Sequence, residues 1–390
     1  FACSFSKYSD GLVLSEKVFE HTDLVNVLNS WVVESGNSSY CYWADDSANV
    51  NGGYPILVNV LSWKDTLSGP DDYKTGEPVL PPSNVQERPV KGVWQDIVTS
   101  KPEGYRESGD TIYISTAEGL SWLSSVCRSM KGFEGKYVRL MSDVDMGGYE
   151  FSPIGYEPFS ARFKGVFDGG NHKIKGLFFG KQVMERLGGN GSLSFTSYNY
   201  GVVKNVVMED VYVYNVGGFI TAMLVGVNNG VIENCHVRGT VYGSNYVGGL
   251  VGHGGPYGGN GSPGKIINCS VAGEVHAAER GNAGGIACIG GGLYDGCVNY
   301  AKVRGVNAAA GILAIQSSTT VCNCVNLGRV SADSCNAGGI FGSWGTNRRV
   351  YNSYNAGVVE GPGLTVNSGD TVQNCYDLGS FAFYDKGDTS

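Results

Sequence analysis

With 60 glycines in 390 residues and only 16% charged side chains, the chain turns too often for a helical bundle, and 42% hydrophobic content is too high for a disordered one. The net charge of −8 comes with no basic run of five, which excludes the clustered positive surface that nucleic-acid binding needs. No apolar stretch reaches the roughly 18 residues of a membrane span. The opening FACSFSKYSDG lacks the charged and apolar regions of a secretory signal, so a signal has been removed or the chain is a fragment.

Residues 1–63 read as a small α+β module. Residues 64–92 carry Pro70, Pro78, Pro81, Pro82 and Pro89 and are expected to form a linker and domain boundary. From 93 to 390 an all-β solenoid is expected, with an opening module at 93–180 and repeated coils at 200–390. Within the opening module, Ser115-Thr116-Ala117-Glu118 has capping-box spacing, and Leu120, Leu123, Cys127 and Met130 form an apolar helical stripe. Such a helix would cover the unpaired strand edges at the end of a solenoid. Asp143 and Asp145 fall on one side of a strand, a position open to calcium ligation but better suited to end-capping structure. Asp168-Gly169-Gly170-Asn171 reads as a tight turn between FKGVF and KIKGL.

Beyond residue 200 the chain aligns on itself. The segments VVKNVVMEDVYV, VIENCHVRGTV, IINCSVAGEV, LYDGCVNYAKV, VCNCVNLGRV, VYNSYNAGVV and VQNCYDLGSF place Val206, Cys235, Cys269, Cys297, Cys324, Ser353 and Cys375 in one register. A second signature lies between them: VGGLVG (247–252), AGGIACIG (283–290), AAGILAI (309–315) and AGGIFGS (337–343), with a weaker copy at 216–226. These are short β-branched strands bounded by glycine, and the period of roughly 28 residues lacks helical spacing. The expected fold is a right-handed parallel β-helix with one coil per repeat.

The Cys column reads as a stack of small core residues, because Val206 and Ser353 substitute in it and buried Cys behaves as a small hydrophobe. Eleven cysteines cannot all pair internally, and the single C-x-C, Cys322 and Cys324, has the wrong spacing for a zinc knuckle. No metal or cofactor is expected. The preceding Asn column (Asn205, Asn234, Asn268, Asn323, Asn352, Asn374) is either a hydrogen-bonded ladder or a row of local turn formers.

The GGLVG element followed by G-x-I-x-N-C resembles the GLUG motif of bacterial cell-surface proteins. The ordered elements ISTAEGLSWLSSV, GKYVRLMSDVDM, FSPIG and FKGVFDGGNHKIKGL are similar to the module that opens such arrays, and the match runs from about Trp94 to Tyr376. The resemblance implies a right-handed β-helix on an extracellular protein at a bacterial surface, in an adhesive or structural role. SFSKYSD, HTDLVNVLNSW, CYWADD and NGGYPIL resemble the module that closes an array. Here it comes first, and no such module follows Tyr376. Either the chain is cut from tandem arrays, or residues 1–63 of one subunit cap the last coil of the next in a head-to-tail filament.

An enzyme is the rival reading, since glycosidase chemistry needs only two suitably spaced carboxylates. Glu233 and Asp295 share the column two before the Cys register, two coils apart, but that column also holds Lys204, Ile267, Cys322, Tyr351 and Gln373. His21, His172, His236, His253 and His276 are dispersed, and no HExxH, GxSxG or phosphate loop occurs. The glycine-rich stretch 254–264 is expected to be an extruded loop. Tyr257 within it, with Tyr242 and Tyr246, is the candidate platform for a partner, a protein or glycan on a host or neighbouring cell. The expected function is non-catalytic structural display or adhesion. A carbohydrate-binding or carbohydrate-active solenoid and a self-assembling filament subunit are the alternatives.

Overall fold

The computed structural model describes residues 90–386 except 157–161, 189–191, 256–261, 279, 316–317, 335, 346, 361–369 and 378–381, together with residues 25, 26, 28–30, 32, 33, 42–45, 56 and 57. Glycine and asparagine interrupt the β-branched runs every few residues, so hydrogen-bonded pairing develops between repeats instead of within them. The coil Ile220–Ala222, Val225–Asn228, Val231–Glu233, His236–Gly243 shows the unit. Each of its strands pairs in parallel with its equivalent in the coils before and after. The first two strand positions build two six-stranded sheets, and the last two belong to one long continuous sheet. The chain is an all-β parallel solenoid.

The register expected from the repeats is the one observed. Lys204, Glu233, Ile267, Asp295, Cys322, Tyr351 and Gln373 are successive partners. Beside them, Val203, Ile232, Ile266, Tyr294, Val321, Val350 and Val372 run up the interior, each at most 1% exposed. The Val206–Cys375 column is buried throughout. It carries more than apolar packing, however. Cys235, Cys269, Cys297, Cys324 and Cys375 each direct the thiol at the carbonyl two residues earlier, at 3.1–3.5 Å. Ser353 does the same through its hydroxyl at 2.8 Å. Six of the seven corner residues thus combine small size with a donor, and Val206 fills the first corner without one.

Both readings of the Asn column hold together. All six asparagines adopt φ of 47–53°, the left-handed region in which an Asn side chain is tolerated, and so turn the chain from one face to the next. Their carboxamides also link coils: Asn234 to Asn205 at 3.3 Å, Asn352 to Asn323 at 2.8 Å, and Asn374 to Asn352 at 2.7 Å. At the coil where Gly296 takes the corner (φ 63°), Asn323 donates to Asp295 instead, at 2.7 Å.

A second ladder went unread in the sequence. Asn299, Asn326 and Asn355, two residues after the Cys register, are at most 1% exposed. They donate along the axis to Asn326, Asn355 and Asp377 at 2.8, 2.7 and 2.9 Å. This ladder lies against Gly285, Gly311 and Gly339, the third residue of three of the repeated glycine signatures. A Cβ on Gly311 would stand 2.2 Å from Asn326 Oδ1, and one on Gly339 would stand 2.3 Å from Asn355 Cγ. The glycine column leaves the interior room that the asparagines fill.

The opening module is continuous with the coils. Thr111–Ile114 pairs with Tyr137–Leu140, that strand with Val166–Asp168, and that with Val202–Lys204, all in parallel. The helix between the first two, Ala117–Val126, buries Leu120 and Leu123, as its stripe requires. Its N-cap is one residue later than expected: Thr116, not Ser115, accepts from Gly119 N–H at 3.1 Å. Ser115 is held back because its own N–H donates to Gly104 O at 3.0 Å. Asp143 and Asp145 spend carboxylate oxygens on the backbone N–H groups of Lys173 and Gly147, at 2.9 Å each.

At the far end, Ala382–Lys386 folds back antiparallel on Thr371–Asp377. The outer side of that strand is thereby paired within the chain. Nearer the N-terminus, Trp43–Ala44 pairs antiparallel with Ile56–Leu57, and the Asn29 carboxamide both donates to and accepts from the Trp43 backbone at 2.7 Å. Val25, Leu28 and Trp43 share an apolar cluster with Ala272, Tyr300, Val325, Leu327, Tyr354 and Tyr376 of the coils, with the Trp43 and Tyr354 rings 5.5 Å apart. These residues lie on the flank of the same chain's solenoid.

Candidate ligand-binding surface

The longest strands of the coils are Val207–Asn215, His236–Gly243 and Ser270–Ala277, and the first two alternate buried and half-exposed residues over their second halves. Val211, Val213, Val241 and Val275 point into the core. The residues between them form two columns along the axis, in which Phe178, His276 and Ser331 are buried. One runs Phe178, Tyr212, Thr240, Glu274, Lys302, and the other Tyr214, Tyr242, His276, Arg304, Ser331. Tyr212, Tyr214, Thr240, Tyr242, Glu274, Lys302 and Arg304 are half-exposed.

The lower part of this stripe is aromatic. Tyr214 and Tyr242 stack at 5.6 Å with rings 10° apart, and Phe178 packs on Tyr212 at 5.6 Å. Round the next corner Tyr246 meets Phe219 edge-on at 5.0 Å, and Phe219 is 40% exposed. Of the three tyrosines singled out in the sequence, Tyr242 and Tyr246 therefore sit on neighbouring strands, each against an aromatic residue of the preceding coil. Tyr257 lies outside the described residues. Phe178, Tyr212, Tyr214 and Phe219 were not picked out, because only the register between coils shows that they flank Tyr242 and Tyr246.

The upper part is polar and charge-compensated. Glu274 accepts from His276 Nε2 at 3.3 Å and faces Lys302, and these hold its carboxyl below the usual range, the histidine contact foremost. Arg304 pairs with Asp333 at 2.6 Å.

The carboxylates weighed as a catalytic pair do share a column, with Ile267 between them, which spaces their backbones by about 9.6 Å, twice a strand separation. Burial raises the Asp295 carboxyl above its ordinary value. Its Oδ1 is taken by the Asn323 carboxamide, which makes it a rung of the outer Asn ladder. Among the described residues no group of three or more His, Cys, Asp or Glu is placed to hold a metal. No helix among them is long and apolar enough to cross a membrane.

No family model matches the sequence. Halomucin of Haloquadratum walsbyi is 30% identical over 145 residues, a stretch covering 35% of this chain and 2% of that protein. The chain thus spans a small fraction of the length of the curated relative it matches.

Proposed function

We propose that this chain is a non-catalytic structural solenoid of an extracellular or cell-surface protein, and that its aromatic stripe is an adhesive face. The observation that carries this is the paired exposure of Tyr214, Tyr242, Phe219 and Tyr246 on a scaffold locked by two ladders. Amphipathic rings on rigid strands offer contact area at small entropic cost, and half-exposed aromatics mark recognition surfaces. The coils are right-handed in this reading, as parallel β-crossovers almost always are, and the helix Ala117–Val126 shields the open end. Membership of the GLUG-type surface arrays belongs to the same proposal and rests on the ordered motifs between Trp94 and Tyr376. The partial likeness to Halomucin is compatible with it.

The test is retention of the purified chain on intact cells and on immobilised glycans or surface proteins. Tyr242→Ala with Phe219→Ala should abolish retention while thermal unfolding stays cooperative. Equal retention of the double variant would remove the stripe from the reading.

The enzymatic reading is favoured by one observation, the raised carboxyl of Asp295 in register with Glu233. Polysaccharide cleavage lost in Asp295→Asn would establish it.

A further inference from the structure

We infer that the stripe binds an extended, uncharged polysaccharide lying parallel to the solenoid axis, with about one sugar residue per coil. The inference rests on the adhesive reading of the same face and names its ligand.

The geometry sets the direction. The two columns are linear and in register from Tyr212 and Tyr214 through Thr240 and Tyr242 and Glu274 and His276 to Lys302 and Arg304. These are four levels spaced by one strand separation, about 4.8 Å, so they span roughly 14 Å. A ligand lying along a strand meets only the two columns of one coil. A ligand running along the columns, across the strands, meets equivalent positions at every level, at an interval comparable to a monosaccharide in an extended chain.

The chemistry sets the class. At the lower levels the stacked Tyr214 and Tyr242 rings and Tyr212 suit the C–H face of a sugar. At the upper levels the side chains change to hydrogen-bonding types without surplus charge. Glu274 stands opposite Lys302, and Arg304 is tied to Asp333. A polyanion would need uncompensated cations, and a polycation uncompensated carboxylates. Compensated pairs beside the half-exposed Thr240 offer donors and acceptors to hydroxyl groups instead.

The test is calorimetric titration of the full chain with neutral linear β-1,4-linked oligosaccharides from dimers upward, and with uronic-acid oligomers as the charged counterpart. Affinity for the neutral series should rise with length to roughly four units, the number of levels, and then level off. Lys302→Ala should erase the gain from the longest of these units. Tyr242→Ala should weaken every length by about tenfold, as loss of an anchor does, and Tyr242→Phe should restore it. Dimers bound as tightly as tetramers, or uronates bound more tightly than neutral chains, would overturn the inference. Tyr242-dependent adhesion to cells with no oligosaccharide bound would overturn it while leaving the adhesive reading standing. Loss of both would remove both.

Discussion

Replacing Asn326 by leucine tests whether buried carboxamides hold the coils in register. Asn326 is fully buried; its Nδ2 donates to Asn355 Oδ1 at 2.7 Å and Gly328 O at 3.2 Å, and its Oδ1 accepts from Asn299 Nδ2 at 2.8 Å. Leucine has nearly the same shape but none of these groups. It strands one N–H of Asn299 and one acceptor site of Asn355 inside the solenoid, each costing about 1–3 kcal/mol. The extra apolar surface returns about 1 kcal/mol. The net loss should therefore be about 1–5 kcal/mol, concentrated in the coils around residues 282–357. Because stacked repeats unfold by segments, the assay is hydrogen exchange by mass spectrometry, with urea unfolding followed by circular dichroism. Faster exchange in those coils, with the opening module unchanged, is expected. Exchange and urea midpoint equal to wild type would refute the reasoning and leave the apolar columns as the sole determinant of stability.

Cys235→Trp should overpack a fully buried corner and sharply lower the thermal midpoint, whereas Cys235→Ser, which keeps the donor to Glu233 O, should cost far less; differential scanning fluorimetry separates them. Arg348 and Asp370, both nearly inaccessible, pair through Nε at 2.8 Å and through Nη2. Asp370→Ala should cost about 3–5 kcal/mol by leaving the guanidinium buried without its carboxylate, measured in urea. Burial holds the His236 imidazole down near 4 from its ordinary 6.5. The unfolded chain then binds the proton first as pH falls, so stability is lost between about pH 6.5 and pH 4, by about 3 kcal/mol at most. In His236→Gln that component of the urea midpoint's pH dependence should vanish.

Much of this molecule was legible in the sequence because a solenoid converts sequence spacing directly into spatial register. Once Cys235, Cys269, Cys297, Cys324 and Cys375 were aligned, the partners of every residue on that face followed, including the pairing of Glu233 with Ile267 and of Ile267 with Asp295. The glycine signatures likewise marked real strands, since a column that cannot hold a Cβ repeats in every coil. The sequence also named Tyr242 and Tyr246 as surface aromatics, but on proximity along the chain alone.

Tertiary structure decided what depends on distance across the axis or on contacts between remote segments. That Tyr214 lies under Tyr242 follows only from the pairing of their strands, which a bulge shifts between Met208 and Val211. That Asn326 faces inward depends on the corner set by the left-handed Asn323 and on the space left by Gly311. The one-residue shift of the helix cap, the return of Ala382–Lys386 and the docking of Val25, Leu28 and Trp43 on the flank have no period to announce them. Each is a single contact between segments that the repeat does not relate, and packing free energy rather than local propensity selects it.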